Sequence, residues 1–297
     1  MFNIVSVLKK NDLVATRYEK KGNVTIATTN NGKYVIKKNN FDNKIKNYLK
    51  SRNFDYLPSS FEEDGYIISE YIDEYDLPKE QKIEDLILLT ALLHNKTTHY
   101  KEIDLSYYTT LYEDLRNNIE YLYSYYTDMI NVVESKVFMS PSEYLFARNI
   151  NVFYGNLDLC HEMLEEFYKL VKEKRKQRLV VLHNNLDLNH YIRNDNSYLI
   201  SWDKSKIDQP IFDLYKLYKK YALDFNFDDL FDNYEKHYPL FTDEKLLLYI
   251  LITMPSIISF NDTEYNMCEK IGSEVDTMIK TKHMVLPYYT NYRKHKE

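Results

Sequence analysis

Apolar and polar positions alternate in short runs along the first 75 residues, and turn residues break the runs. Leu13 to Tyr18 and Val24 to Thr29 have the two-residue period of strands, with Lys21-Gly22-Asn23 as the turn between them. Asn30-Asn31-Gly32-Lys33 leads into Tyr34-Val35-Ile36-Lys37, and an Asn-Gly step between β-rich runs predicts a hairpin. Phe41 to Arg52 has helical spacing. Tyr56 to Phe61 and Tyr66 to Ile72 then flank Glu62-Glu63-Asp64-Gly65 as a second hairpin. The order is three strands, a helix and two strands.

Asp73 to Lys79, with Pro78, reads as a linker. Beyond it the period lengthens to that of helices over Ile83 to His99 and Leu105 to Lys136. Ser140-Pro141-Ser142-Glu143 predicts a capped helix start. That helix is expected to reach about Cys160, with a further helix to about Lys176. The period then shortens again. Arg178 to Leu182 and Ser197 to Trp202 read as strands around the loop His183 to Asp195. Helices are expected over Ile211 to Ala222, Phe227 to His237, Thr242 to Met254 and Thr263 to Ile279. The class is α+β: a β-rich lobe over residues 1–75, then a helical lobe over 76–297 interrupted by a hairpin-like insertion.

Composition narrows the function classes. The net charge of −6 disfavours nucleic acid as a partner, because phosphate binding needs a basic surface. The start of the chain lacks a basic segment followed by an apolar run, which predicts no signal peptide. The most apolar stretch, Leu246 to Met254, is far short of the about 20 residues a membrane span needs. A cytoplasmic protein is expected. Cys160 and Cys268 form no metal or disulfide pattern. The 5 glycines are scattered, so no glycine-rich phosphate loop of the P-loop or dinucleotide type is present. Tyrosine occurs 30 times, and Tyr107 to Tyr126 reads either as a partner-binding helical surface or as core packing.

The insertion carries the chemistry. It reads Leu179-Val180-Val181-Leu182-His183-Asn184-Asn185-Leu186-Asp187-Leu188-Asn189-His190. Leu199-Ile200-Ser201-Trp202-Asp203 and Pro210-Ile211-Phe212-Asp213-Leu214 follow. This order resembles the aminoglycoside and choline kinase-like phosphotransferases, and most of all the kinase-like proteins of bacterial spore coats. Those carry a strand entering H-G-D-x-x-x-x-N, a strand with I-D-[FW]-[DE], and a helix at P-x-x-D-L. Val35-Ile36-Lys37 and Leu92-Leu93-His94 fit the family's strand lysine and a helix end, so the resemblance spans about residues 10–240.

The resemblance implies a protein-kinase-like two-lobed fold and a role for each matched position. Asn185 stands where the family has the catalytic base, and an amide is no base at neutral pH. His190 and Ser201 stand at the two magnesium-ligand positions, yet magnesium prefers oxygen ligands, carboxylates above all. Asn184 replaces the glycine. His183 and Asp213 match residues that brace the loop. Lys37 matches the phosphate-binding lysine, but the following helix offers no glutamate to pair with it, so Lys37 reads equally as a solvated strand end. The backbone of Glu70 and Ile72 matches the adenine-recognising hinge.

Phosphoryl transfer relies on positioning and charge neutralisation. These replacements therefore imply a catalytically impaired, pseudokinase-like binding or scaffold module, associated with spores if the spore-coat likeness holds, with no cofactor. The alternative is an active ATP- and magnesium-dependent phosphotransferase on a small hydroxylated metabolite, with Asp187 or Asp203 supplying the lost carboxylate. A serine or cysteine hydrolase is disfavoured, because no nucleophile in a glycine-flanked turn accompanies His190.

Overall fold

The computed structural model describes residues 2–295. It has two compact units, Met1–Thr98 with Val180–Asp208 and His99–Leu179 with Gln209–Glu297. These units follow packing, whereas a boundary at residue 75 follows secondary-structure content.

The chain opens with a helix that the sequence pattern did not reveal, α1 (Phe2–Lys10). Its Val7 and Leu8 are buried with Leu13, Ala27, Ile36 and Ile68, covering one face of the sheet that follows. That sheet consists of β1 (Ala15–Lys21), β2 (Val24–Thr29), β3 (Gly32–Lys38) and, after α2 (Asn43–Ser51), β4 (Ser60–Glu63) and β5 (Tyr66–Glu70). All its neighbours are antiparallel, in the order β1-β2-β3-β5-β4. β1 starts two residues later than the alternation suggested, because Leu13 turns into the core and a bulge follows between Ala15 and Arg17. The β2–β3 hairpin forms, with its turn one residue earlier than the Asn-Gly step implied. Thr29 faces Gly32, so Asn30-Asn31 make the turn, and Gly32 takes φ 119° just after it. The Thr29 hydroxyl fixes this register by accepting from Asn31 N–H and donating to the Gly32 carbonyl.

The next elements are α3 (Lys79–Thr97), β6 (His99–Glu102), α4 (Leu105–Glu134), α5 (Pro141–Glu173) and β7 (Lys176–Leu182). α5 opens with the expected capping box of Ser140 and Glu143. It then runs unbroken through Cys160, because Cys160, Met163, Leu164 and Phe167 extend one buried stripe and no breaker interrupts it. After β7 come β8 (Tyr191–Arg193), β9 (Ser197–Leu199) and β10 (Lys206–Asp208). The strand expected to reach Trp202 stops at Leu199, and a 3-10 turn spans Trp202–Lys204. Lys176 to Leu179 of β7 pair with β6, and Val180 to Leu182 pair with β10. β6 and β10 are short and mostly exposed, so neither carries an apolar alternation to read.

The chain ends with α6 (Ile211–Tyr221), α7 (Phe227–His237), α8 (Thr242–Thr253) and α9 (Glu264–Lys294). α9 continues well past Ile279 and through Pro287. Its polar stretch at Lys280 to His283 hides the pattern, while Thr281, Met284, Val285 and Tyr289 stay buried. α5 packs against α4, α8 and α9. Tyr112 of α4 stacks on Tyr168 of α5 at 4.1 Å, and its hydroxyl donates to Glu165. Tyr126 is fully buried against Phe153. Part of the tyrosine-rich helix is therefore core, and Tyr107, Tyr121 and Tyr123 remain exposed. Among the described residues no helix is long and apolar enough to cross a membrane. The architecture is of the α+β class expected from the sequence, with an antiparallel N-terminal sheet and a larger helical C-terminal part.

At the foot of β7, Arg178 is buried between the rings of Tyr238 and Phe241 and pairs bidentately with buried Glu244 of α8. It also donates to the Pro239 carbonyl at 2.9 Å. Removing one partner of a buried pair strands the other charge. Glu244→Ala is expected to lower unfolding free energy by about 3–5 kcal/mol, measured by urea denaturation, and Arg178→Met with Glu244→Leu is expected to recover much of that loss.

Candidate functional site

The site is built within the first unit by two tightly tied segments. One is the chain after β5. Glu70 N–H donates to the Ser59 carbonyl at 3.1 Å, and Tyr71 N–H to the Lys33 carbonyl at 2.9 Å. The Tyr71 ring packs against the Lys33 ammonium. The following residues are fastened to the β8–β9 hairpin: Tyr75 N–H donates to the Arg193 carbonyl, Asn194 donates to the Asp73 carbonyl, and the Tyr75 hydroxyl donates to Asp195. By accepting this hydrogen bond, Asp195 stabilises the protonated phenol and raises its pKa. Among the described residues, the Ile72 N–H has no hydrogen-bond partner within the protein.

The other segment is the loop from His183 to Ser205. His183 is fully buried, and its Nε2–H donates to the Ile200 carbonyl at 2.8 Å. Its ring meets Trp202 edge-on at 4.7 Å. Asn184 adopts φ 60°, in the left-handed region that glycine tolerates best and asparagine next best. Its side chain donates to the Lys204 carbonyl at 2.7 Å. The Asn185 carbonyl accepts from Nδ1 of His190 at 2.7 Å, so Nδ1 carries that proton. Asp187 is buried and caps the 3-10 turn Leu188–His190, its carboxylate accepting from Asn189 N–H at 2.7 Å. Ser201 is also left-handed, with φ 67°. Trp202 is buried, stacks on Phe41 at 5.8 Å, and donates from Nε1 to the Leu199 carbonyl.

Between these segments lies a cavity of about 350 Å³. Val24, Val35 and Ile67 of the sheet form one apolar wall. Ile192 and Leu199 of the β8–β9 hairpin contribute another, Trp202 and Phe41 close it, and Ser69 to Ile72 supply the backbone edge. Lys37 and Ser201 supply polar groups. The Lys37 ammonium is 2.9 and 3.0 Å from the two carboxylate oxygens of Asp203. The sequence left Lys37 without a partner, and the structure supplies one from 166 residues away. α2 has no acid of its own, because Asp42 caps it by accepting from Lys44 N–H. β1 and β2 are joined by the two-residue turn Gly22-Asn23, with no loop beyond it.

The structure thus brings Lys37, Glu70, Ile72 and Ser201 to one cavity, with Asp203 at its edge on Lys37 and His183, Asn185, Asp187 and His190 in the adjoining loop. Asp213 lies in the first turn of α6, fully buried, in the other unit. Sequence reasoning missed Phe41, Ile192 and Leu199 as cavity walls. The signal for the last two was their place on either side of the β8–β9 turn. Among the described residues no group of three or more His, Cys, Asp or Glu is placed to hold a metal ion.

Asn184→Gly and Asn184→Ala both remove the bond to Lys204, so their difference isolates the backbone. The glycine variant is expected to be the more stable by about 1 kcal/mol, read by thermal denaturation. Equal Tm values would mean that residue 184 is not held left-handed.

No protein-family model and no curated protein matches the sequence. Solved structures do. The crystal structure of an aminoglycoside phosphotransferase from Alicyclobacillus acidocaldarius superposes with a TM-score of 0.73 at 10% identity, over 97% of this chain and 96% of that one. Spectinomycin phosphotransferase, solved with ADP and spectinomycin, superposes with a TM-score of 0.51 at 13% identity, over 95% of this chain and 98% of that one. Its AMP-bound complex gives 0.51 at 12% identity, over 95% and 94%. At such identities the likeness is one of fold, and the fold of this chain is that of the aminoglycoside phosphotransferases.

Proposed function

We propose that this protein is a kinase-fold binding module that takes a purine nucleoside or nucleotide in the first unit's cavity and does not carry out magnesium-assisted phosphoryl transfer. The observation that carries this reading is the Lys37–Asp203 ion pair. It joins the ammonium that would meet phosphates to the carboxylate nearest the magnesium corner, and each neutralises the other. The other groups that the family resemblance assigns to magnesium are the Ser201 hydroxyl and the His190 imidazole, whose Nδ1 already serves the Asn185 carbonyl. That set does not fit a hard cation that prefers several oxygen ligands. Asp187 holds a turn together, and Asn185 offers an amide where a proton acceptor would be needed. The cavity itself suits a flat aromatic ligand, with aliphatic walls, the Trp202 ring, and the Ile72 N–H at its backbone edge. Spectinomycin phosphotransferase has been solved with ADP and with AMP, which supports an adenine nucleotide as the first ligand to try. Association with a spore coat rests on the motif resemblance alone.

One observation favours the alternative, an active magnesium-dependent phosphotransferase on a small hydroxylated metabolite. The Asp203 side chain is 34% exposed and so accessible to a cation.

Trp202 is the single tryptophan of the chain and lines the cavity, so its fluorescence reports occupancy. Adenosine, AMP and ATP are expected to change its emission saturably, with the same affinity with or without magnesium. Asp203→Ala is expected to release Lys37 and tighten ATP about fivefold relative to adenosine, the size of one partly exposed charge contact. ATP binding that requires magnesium and disappears in Asp203→Ala would reverse the assignment in favour of the active enzyme. No response to any of the three ligands would remove the nucleotide reading.

A further inference from the structure

Gly155 stands in the middle of the 33-residue helix α5, where no turn or left-handed conformation calls for glycine. Glycine is the poorest helix former after proline. A Cβ at this position would come within 2.8 Å of the Lys282 Nζ of α9, and no other group outside α5 lies within 4 Å of it among the described residues. The missing side chain therefore makes room for an ammonium. Lys282 is half-buried there, yet it has no hydrogen-bond or ion-pair partner among the described residues. A cation that has lost part of its water without gaining an acceptor is poorly satisfied.

Lys282 stands at the junction of two cavities in the furrow between α5 and α9, inside the second unit. The cavities share Lys282 and Leu286, and their α5 residues run from Asn151 to Glu162, about 16 Å of helix. The larger, about 520 Å³, is the more polar, with Asp158, Glu162, Tyr289, Arg293 and Lys294 in its wall. Arg293 and Glu162 pair at 2.9 Å and cancel. Lys282 and Lys294 then face Asp158 alone, a surplus of one positive charge. Asp158 is not paired with Lys282, and accepts instead from the Tyr123 hydroxyl at 3.4 Å. The Tyr289 hydroxyl has no hydrogen-bond partner among the described residues, and burial pushes its pKa up to about 12, so it stays a neutral donor. The smaller cavity, about 400 Å³, is walled mainly by Val152, Ile279, Leu286 and Pro287. Ile279 is 40% exposed and Leu286 42%, so this limb presents apolar side chains that nothing in the fold covers.

We infer that the furrow binds an aliphatic monocarboxylate, with its carboxylate on the Lys282 ammonium and its chain along Val152, Ile279 and Leu286. Both ends of the ligand are specified. A single negative charge matches the surplus, whereas the second charge of a phosphate ester would face Asp158. A short acid without an apolar body would leave Ile279 and Leu286 in water. An uncharged chain would cover them and leave the ammonium without an acceptor.

Isothermal titration calorimetry of the full chain with butanoate, hexanoate and octanoate tests this with no purine ligand present. One octanoate is expected to bind per chain, with Kd on the order of 0.1 mM. Each two-carbon step is expected to tighten binding about fivefold, less than complete burial of two methylenes gives, because the furrow is open on one side. Lys282→Met keeps an apolar stem and removes the charge. It is expected to weaken octanoate at least about tenfold and to leave the weaker binding of 1-octanol unchanged. Ile279→Ser is expected to weaken octanoate about threefold and to leave butanoate as in the wild type. Both positions are partly solvated, so both variants keep the wild-type circular dichroism. The inference is overturned if octanoate does not bind, or if Lys282→Met binds it as tightly as the wild type does. It is equally overturned if octylammonium or inorganic phosphate binds as tightly as octanoate.

Discussion

His183 sits fully buried where β7 ends, and its imidazole donates to the carbonyl of Ile200, 17 residues further along the chain. That bond closes the loop between them, and the cavity's geometry follows from the closure. Ile200 is held as well through its N–H on the His190 carbonyl, Ser201 follows in a left-handed conformation, and Trp202 lies inward against His183 and Phe41. Asp203 is then delivered to Lys37 on the sheet. A buried side-chain-to-backbone bond of this kind is costly to leave unmade, because both groups lose water on folding. The histidine therefore has an architectural role at the place where a motif reading first looks for chemistry.

The fold was legible wherever burial imposed a period. The two hairpins, the helix between them and the Ser140 capping box all follow from alternation, turn chemistry and spacing. α1 escaped because nine residues with one buried flank make too short a pattern. α5 looked like two helices and α9 looked short for a shared reason: polar residues on a helix's solvent side interrupt the reading without interrupting the helix. The site was legible as a set of positions but not as a set of interactions. Asn184 could be matched to a glycine position, and the structure adds why asparagine serves there. The Lys37–Asp203 pair joins residues that no local rule connects, and only the closed loop brings them together.

Base recognition and phosphoryl transfer ask different things of a kinase-type fold. Base recognition needs apolar walls and backbone donors, and these come from strands whose positions are fixed by the sheet. Phosphoryl chemistry needs a dense cluster of anionic ligands poised without partners. In this loop the carboxylates are already engaged, Asp187 with a turn and Asp203 with an ammonium. Each engagement stabilises the folded loop, and each removes a group from metal binding. Loop stability and metal binding therefore draw on the same side chains.

The turn between β1 and β2 sets part of the cavity's size. At Gly22-Asn23 the chain reverses in two residues. Val24, the residue after the turn, lines the cavity, so the end of this hairpin is wall and not free loop. A change of one residue in that turn would slip the register of β2 and carry Val24 to the other face of the sheet. The width of the cavity is thereby coupled to the length of a two-residue reversal.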